Sequence, residues 1–377
     1  MITLSNLPCP PRDFLLNGGS LAELYSRFHI GVRRHGAYDN LVQLKYSQIE
    51  SPMAEEVVQC CRGIILDEDN DWAVVAWPFN KFFNHGEALA AVIDWNTARV
   101  QEKLDGSLLL MYRYDNGWHV ATTGVPDASG AVGCSGMTFA QLFWEAWEKQ
   151  QFRYPIGLDD CFTFMFELTS PLNRVVVQQH TTLLSFVGMR SIWTGKELAT
   201  WYRYSYNPVQ EFKLTTIADV LATFEKMDAL AQEGYVIVDG AFHRVKVKHP
   251  GYVALHHLKS SFSMRKVIEV VQRGKAAEVL VHFPEWRGPF EQVQAAYDGL
   301  AVHLEQEYDR LKPLASTSRK DFALATKSSP YPATLFQLLD GKYPSARASL
   351  GEVHVDKMLD LLGVRDMRLD GTLEADA

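Results

Sequence analysis

The sequence predicts an α+β protein in two parts, with strands in residues 1–260 and a small all-helical domain in residues 261–377. Three observations carry this. Between Cys61 and Pro250, short apolar runs rich in β-branched and aromatic residues are punctuated by turn signals such as Asp115-Asn116-Gly117 and Asp239-Gly240, a hairpin pattern. After Ser261 the apolar residues fall at helical spacing instead. No barrel-like series of strands follows, which disfavours an appended oligonucleotide-binding barrel.

A chain of 377 residues holds two or more domains. No apolar run reaches membrane-spanning length and the N-terminus lacks a signal pattern, so a cytoplasmic protein is expected, or one in host cytoplasm if the source is viral. Cys9, Cys60, Cys61, Cys134 and Cys161 are odd in number and show no Cys-x-x-Cys spacing, which suggests neither a disulfide framework nor a zinc site. The net charge of -8 argues against indiscriminate coating of nucleic acid. A local basic run nevertheless extends from Arg244 to Lys275 through Lys246, Lys248, Lys259, Arg265, Lys266 and Arg273. Acidic residues gather elsewhere, in Asp67-Glu68-Asp69-Asn70-Asp71 and in the tail at Asp366, Asp370, Glu374 and Asp376.

In chain order, Pro8, Pro10 and Pro11 mark an irregular start, and Leu21–Phe28 reads as a short amphipathic helix. Cys61–Leu66 and Trp72–Trp77 read as strands around the acidic turn. Arg62 opens the first of them beside Gly63, which permits close approach of a ligand to the backbone; the arginine either holds phosphate with its planar fork or makes a rim salt bridge. Lys81-Phe82-Phe83-Asn84 places a cation beside aromatics, as core packing or as a nucleotide-facing edge.

Lys103 stands in Val100-Gln101-Glu102-Lys103-Leu104-Asp105-Gly106-Ser107, between an apolar approach and the run Leu108–Leu110. That predicts a lysine at a strand-loop-strand junction. It is a candidate nucleophile if its surroundings favour the neutral amine, and otherwise a solvated lysine before an Asp-Gly turn. Residues 107–114 and 118–123 then form a hairpin, and Thr138–Gln150 a helix with Phe139, Leu142, Phe143, Ala146 and Trp147 on one face.

Phe162–Leu168 is an apolar strand with one carboxylate, Glu167, near its end; Ser170-Pro171 turns, and Val175–Val177 predicts another strand. Burying a lone carboxylate costs several kcal/mol, so Glu167 requires a cation, a metal, a ribose hydroxyl or a structural ion-pair partner. Thr182–Arg190 adds a strand carrying Phe186, an aromatic available to stack on a planar ring. A helix is expected over Ile217–Leu230. Glu233-Gly234 then leads a strand to Asp239-Gly240, and the return strand Phe242–Pro250 alternates Lys246 and Lys248 on one face with Val245 and Val247 on the other. Two neighbouring lysines repel unless an anion lies between them, and a polyphosphate supplies one; an exposed edge strand is the rival explanation.

This ordered set resembles the motifs of the covalent nucleotidyltransferase superfamily of ATP-dependent polynucleotide ligases and capping enzymes. It is most similar to the phage-type RNA ligase 1 family, which repairs broken tRNA. The residues that carry the resemblance are Lys103-Leu104-Asp105-Gly106-Ser107, Phe166–Arg174, Cys61-Arg62-Gly63 with Lys81–Asn84, and Val245–Tyr252, and it spans about residues 40–260. The fold it implies is an antiparallel-sheet nucleotidyltransferase (ATP-grasp-like ligase) domain.

Carried over by position, the resemblance implies that Lys103 attacks the α-phosphate of ATP to form lysyl-AMP. Glu167 binds the ribose, Glu233 helps hold a catalytic Mg2+ or Mn2+, and Lys246 and Lys248 contact the α-phosphate and the departing pyrophosphate. Arg62, Lys81 and Phe83 lie at the nucleotide or substrate end, Asp105 and Gly106 complete the nucleotide-binding motif, and Phe186 and Val236 flank adenine. The adenylate passes to an RNA 5′-phosphate, and a 3′-hydroxyl displaces AMP. Members often carry a further lysine where this chain has Ala121-Thr122-Thr123-Gly124, so a contact with the outer phosphates or the RNA there must come from elsewhere. Leu108 stands where many DNA ligases have arginine, which leans toward RNA.

Beyond Ser261, helices are expected over Met264–Arg273, Phe290–Leu311, Arg319–Thr326, Pro332–Leu339 and Val353–Leu362, as a domain for docking structured RNA. The leading reading is thus an ATP-dependent RNA ligase acting as a monomer on RNA with 5′-phosphate and 3′-hydroxyl ends, nicked tRNA among them. The alternatives are a DNA ligase or capping-type nucleotidyltransferase, and a non-catalytic RNA-binding protein.

Overall fold

The computed structural model describes residues 9–133, 135–156, 161–198, 206–260 and 263–367. Cys134, the boundary expected at Ser261, and Asp370, Glu374 and Asp376 of the acidic tail lie outside the described residues. The chain divides into two units, Met1–His256 and His257–Ala377.

The first unit contains strands β1 (Ile30–Arg34), β2 (Leu41–Tyr46), β3 (Arg62–Asp67), β4 (Ala73–Ala76), β5 (Phe83–Asn84), β6 (Arg99–Lys103), β7 (Ser107–Tyr114), β8 (Gly117–Thr122), β9 (Phe162–Thr169), β10 (Leu183–Ser191), β11 (Glu197–Leu198), β12 (Glu211–Phe212), β13 (Gly234–Val238) and β14 (Arg244–Lys248). They form three sheets, ordered β1-β2-β3-β4, β11-β10-β9-β7-β8 and β12-β6-β13-β14-β5. Pairing is antiparallel except between β14 and β5. Helices α1 (Pro10–Leu16), α2 (Leu21–Phe28), α3 (Glu56–Cys60), α4 (Phe139–Lys149) and α5 (Ile217–Thr223) cover them, and α6 (Pro250–Ser260) follows β14.

Local chemistry explains most element ends. Ser20 with Glu23 and Thr138 with Gln141 form capping boxes that satisfy the first N–H groups of α2 and α4. Asp115 and Asn116 adopt positive φ (43° and 57°), the turn that matches the twist of the β7–β8 hairpin. Helix α5 stops at Thr223, short of the expected Leu230: the Thr223 hydroxyl donates to the Val220 carbonyl at 2.7 Å, and the Phe224 ring stacks 6.0 Å from Tyr235.

Each sheet buries a face of its own. Phe164, Phe166 and Leu168 of β9 pack with Leu109 and Met111 of β7 against Phe143 and Trp147 of α4. Val100, Tyr235, Ile237, Val245 and Val247 make the core of the third sheet with Val220 of α5. The first sheet buries Val42, Leu44, Ile64 and Leu66 against Leu15 and Leu24, while Leu41 and Ile65 meet Leu110, Tyr112 and Met165 of the second sheet.

Strands β6 and β7, consecutive in the chain, lie in different sheets, so the loop Leu104–Gly106 carries the chain from one to the other. Gly106 is required there, because a Cβ would stand 2.3 Å from the Leu168 carbonyl oxygen. Asp105 does not face a ligand space, contrary to its expected nucleotide-binding role. Its buried carboxylate accepts from the Val176 and Val177 N–H groups at 2.7 and 2.6 Å and from the Tyr252 hydroxyl at 2.6 Å. This also corrects the strand expected at Val175–Val177: those N–H groups are taken by a side chain, and a 3₁₀ turn at Pro171–Asn173 precedes them. Gly63 is a second correction. Its φ is +99°, and the close neighbour is protein backbone, since a Cβ would lie 2.8 Å from Thr123 Cα.

The second unit is helical in its described residues: α7 (Met264–Gln272), α8 (Ala276–His282), α9 (Arg287–Thr317), α10 (Arg319–Ala325), α11 (Pro332–Leu339), α12 (Ala346–Gly351) and α13 (Val355–Leu362). The sequence reading omitted α8 and α12 and shortened α9. Helix α9 is its axis, packing on α7, α10, α11, α12 and α13 through residues such as Phe290, Val293, Tyr297 and Leu304. Among the described residues no helix is long and apolar enough to cross a membrane, and Cys9, Cys60, Cys61 and Cys161 are buried and outside any disulfide.

Asp105→Ala strands three buried donors at once. A loss of about 3 kcal/mol of unfolding free energy is expected in urea titration, and a loss below about 1 kcal/mol would show that the carboxylate is not the tie described.

Candidate active site

The site is built on the third sheet. Lys103 at the end of β6, Gly234 at the start of β13 and Lys248 at the end of β14 are direct cross-strand partners. Glu233, one residue before Gly234, is only 2% exposed, and both its oxygens are occupied: Lys103 Nζ donates to Oε2 at 2.7 Å and Lys248 Nζ pairs with Oε1 at 2.8 Å. Strand alternation then puts Gln101, Lys103, Val236, Lys246 and Lys248 on the face opposite the Val100–Tyr235–Val247 core. They line one side of a cavity of about 500 Å³, within the range of small-ligand sites.

The second sheet supplies the facing side. Leu108 pairs with Glu167 across β7 and β9, and both line the cavity with Val187 of β10. The loop residues Leu104 and Gly106 close one end. From the first sheet, Arg62 reaches in at the start of β3.

The charges are unequally matched. Burial pushes the Glu167 carboxyl up to about 7, although Lys103 and Arg62 pull it down. Burial also pushes the Lys246 ammonium down to about 7, helped by Lys81, Arg62, Lys103 and Lys248. Among the described residues Lys246 has no carboxylate partner; its Nζ lies 5.3 Å from the Phe82 ring centroid. Arg62 likewise stands 5.0 Å from that ring, and its Nη1 is sealed from solvent without a hydrogen-bond partner. A buried, unpartnered guanidinium nitrogen in a cavity wall is suited to an anion.

Of the residues singled out in the sequence, Arg62, Lys103, Gly106, Glu167, Val236, Lys246 and Lys248 line the cavity, with Glu233 beneath it. Lys81 and Phe83 line a neighbouring cavity of about 500 Å³ that shares Phe79, Phe82 and Arg244 with the first. Phe186 does not line the Lys103 cavity but a small one beside it, with Gln101, Val187 and Arg244. It pairs with Phe166 and is buried in the α4 core, on the opposite face of the sheet from Glu167. A bulge between Phe186 and Gly188 turns Val187 to the cavity in its place. The charged partner that the structure gives Lys103 is the carboxylate of Glu233.

Arg244 was missed. It lines both cavities, pairs with Glu197 at 2.6 Å and lies 4.1 Å over Phe79. The signal was present, since Arg244, Lys246 and Lys248 share one strand face. Among the described residues no group of three or more His, Cys, Asp or Glu is clustered for a metal. The carboxylates Glu167 and Glu233 are hard oxygen donors, which fits a Mg2+ or Mn2+ whose other ligands are phosphate oxygens and water.

A family model described as RNA ligase matches residues 60–252. An RNA ligase of Rhodothermus phage RM378 is 26% identical over 356 residues, covering 74% of this chain and 81% of that protein. A putative bifunctional polynucleotide kinase/RNA ligase of Autographa californica nuclear polyhedrosis virus is 29% identical over 294 residues, covering 72% of this chain and 41% of the viral one. Among solved structures, an archaeal ATP-dependent RNA ligase is similar at 13% identity and a TM-score of 0.45, covering 94% of this chain and 82% of that one. A Naegleria gruberi RNA ligase mutant with ATP and Mn matches at 13% identity and a TM-score of 0.31, covering 42% of this chain and 51% of that one.

The raised Glu167 carboxyl gives a pH test. A carboxyl raised in the folded state costs nothing below its unfolded value near 4.5, and its cost grows as pH rises toward 7. The Tm advantage of Glu167→Gln over wild type is therefore expected to be absent near pH 4.5 and to widen up to about pH 7. A constant or narrowing gap in thermal melts would contradict the assignment.

Proposed function

The chain belongs to the RNA ligase family, and from that premise we propose that it joins RNA 3′-hydroxyl and 5′-phosphate ends with ATP as the adenylyl donor and Lys103 as the carrier. The observation that carries this reading is the position of the Lys103 amine. It ends a strand at the floor of a nucleotide-sized cavity, held by Glu233, with Lys246, Lys248 and Arg62 in the walls.

In the first step the Lys103 amine attacks the α-phosphorus, an N–P bond forms, and the bond to the β-phosphate oxygen breaks to release pyrophosphate. Glu233 Oε2, 2.7 Å from Nζ, is placed to take the proton that the amine sheds. Lys246, without a carboxylate partner among the described residues, meets the charge that develops on the phosphoryl oxygens. In the second step an oxygen of the RNA 5′-phosphate attacks the same phosphorus and Lys103 leaves, regaining a proton. In the third the 3′-hydroxyl attacks the RNA 5′-phosphorus and AMP departs. Gln101, Val236 and Glu167 line the part of the cavity suited to the nucleoside, Glu167 through a ribose hydroxyl. A divalent cation held by Glu233 or Glu167 with the phosphates would supply charge neutralisation for the transfer. We assign nicked tRNA as the substrate class and the helical second unit as its docking domain. The basic run leading into that unit supports this part of the reading, although the side chain of Lys259 lies outside the described residues.

Intact-mass measurement after incubation with ATP is expected to show one AMP increment on the wild-type chain and none on Lys103→Ala; an adduct on the variant removes Lys103 from the role. With GTP no increment is expected, and a GMP adduct would place the chain with capping enzymes. Lys246→Ala is expected to slow adduct formation about 100-fold without lowering Tm, because it removes a charge the fold disfavours; labelling at the wild-type rate would take Lys246 out of the site.

A further inference from the structure

The first sheet carries a groove of its own on the face it turns to the second. Gly31 and Arg33 of β1 pair directly with Lys45 and Gln43 of β2, so strand alternation puts all four on the face opposite Val42 and Leu44. Together with Tyr25 of α2 and Gly124 they line a cavity of about 330 Å³. It is separate from the Lys103 cavity but abuts it. Thr123 lines the Lys103 cavity and accepts from Lys45 Nζ at 2.7 Å, while the next residue, Gly124, lines the groove. Apart from Gly124, these lining residues lie ahead of residues 60–252, the stretch matched by the RNA ligase family model.

The lining has the chemistry of a nucleic-acid strand. Among the described residues neither the exposed Arg33 nor the half-buried Lys45 has a carboxylate partner. Burial, with Arg62 and Lys81 adding to it, pushes the Lys45 ammonium down to about 8, so a nearby anion would stabilise its charged form. Glu50 also lines the groove, but it is exposed and its charge is screened by water. Gln43 adds a second, independent demand. It is only 1% exposed, its Nε2 is spent on the Thr122 and Gly63 carbonyls, and its Oε1 is sealed without a partner. A free phosphate has no donor to offer that oxygen, whereas a ribose hydroxyl or a base amino group does. The well-exposed Tyr25 ring is available for a base to stack on, and Gly31 leaves the floor clear of a side chain.

We propose that this groove holds a single-stranded RNA segment leading to the end that reacts in the Lys103 cavity, with Arg33 and Lys45 on its phosphates and Gln43 Oε1 accepting from a ribose hydroxyl or a base amino group. The proposal rests on the RNA-joining reading above for the identity of the ligand and deepens it, since it gives the strand a path over the first sheet.

The test is fluorescence anisotropy of a labelled, 5′-phosphorylated single-stranded RNA oligonucleotide with the full chain, run beside AMP-adduct formation without RNA. A Cβ at position 31 would meet only the Lys45 carbonyl oxygen, at an ordinary 3.5 Å, so Gly31→Val fills the groove without straining the strand. Gly31→Val and Arg33→Ala are each expected to weaken RNA binding about tenfold and to leave the rate of adduct formation within about twofold. Gly31→Ser replaces Gly31→Val if the latter does not fold. Lys45→Ala is expected to lower the slope of log affinity against log salt by about 0.7, the value for one phosphate contact on a single strand, which a merely structural lysine would not move. RNA affinity unchanged in both Gly31→Val and Arg33→Ala overturns the proposal, as does a matching loss of adduct formation, which would assign the groove to the nucleotide. An unchanged salt slope in Lys45→Ala overturns its phosphate contact. Failure of the wild-type chain to form an AMP adduct would instead sink the reaction assigned above, and the RNA titrations would still decide the groove.

Discussion

The carboxylate of Glu233 is the constraint on which the site depends. It is buried, and a carboxylate in that position is tolerated only when its oxygens are matched. Lys103 and Lys248 match them from two different strands, one on each side of β13. A shift of either ladder by one residue would turn a lysine to the opposite face and leave the carboxylate bare, so the ion pairs and the register enforce each other. The same register carries Val236 and Lys246 to the cavity and Val245 and Val247 to the core. One buried charge thereby fixes which face of the third sheet is chemical and which is structural.

Charge balance at the floor contrasts with imbalance at the rim. Around Glu233 each charge has a partner, whereas burial lowers Arg62, Lys81, Lys45 and Lys246, and neighbouring cations add to it. The overall charge of -8 gives no hint of this, because it averages over a surface whose acids lie elsewhere. A polyanion entering the cavity meets cations that water and carboxylates have not already neutralised, so the free energy of bringing them together is recovered on binding. Glu167 works in the other direction. Its raised carboxyl stays partly protonated near neutrality and so adds less than a full negative charge to the cavity.

The parts of this arrangement legible in the sequence are those governed by local rules. Turn chemistry located the loop after Lys103 and the β7–β8 hairpin, and alternation located Lys246 and Lys248. Helical spacing of apolar residues marked α2 and α4. What escaped depends on contacts distant in the chain. Asp105 reads as half of an Asp-Gly turn, and only the folded chain shows that it accepts N–H groups 71 and 72 residues away. Val175–Val177 has strand composition but lost its ladder to that carboxylate. Phe186 came from the resemblance, which cannot show that the bulge beside it turns Val187 to the cavity. Lys45 had no local signature, since nothing near it in sequence announces that Thr123 will be its neighbour.

That last case points to how the cavity is assembled. Arg62 comes from the first sheet, Glu167 from the second, and Lys103, Lys246 and Lys248 from the third, so no single sheet supplies the charged lining. The first sheet is seated on the second at the corner where Gln43 Nε2 donates to the Thr122 carbonyl at 2.8 Å and Gly63 lies against the Thr123 backbone. Gly63 directly follows Arg62, and the contact that forbids a Cβ there also sets how far Arg62 reaches over the cavity. The second sheet is joined to the third by the short loop that Asp105 ties down. Both joints are made of backbone held at van der Waals range or in short hydrogen bonds, with little slack for the charged side chains they aim. The positions of Lys103 and the cations around it are thus set by backbone contacts and by a carboxylate that does not line the cavity.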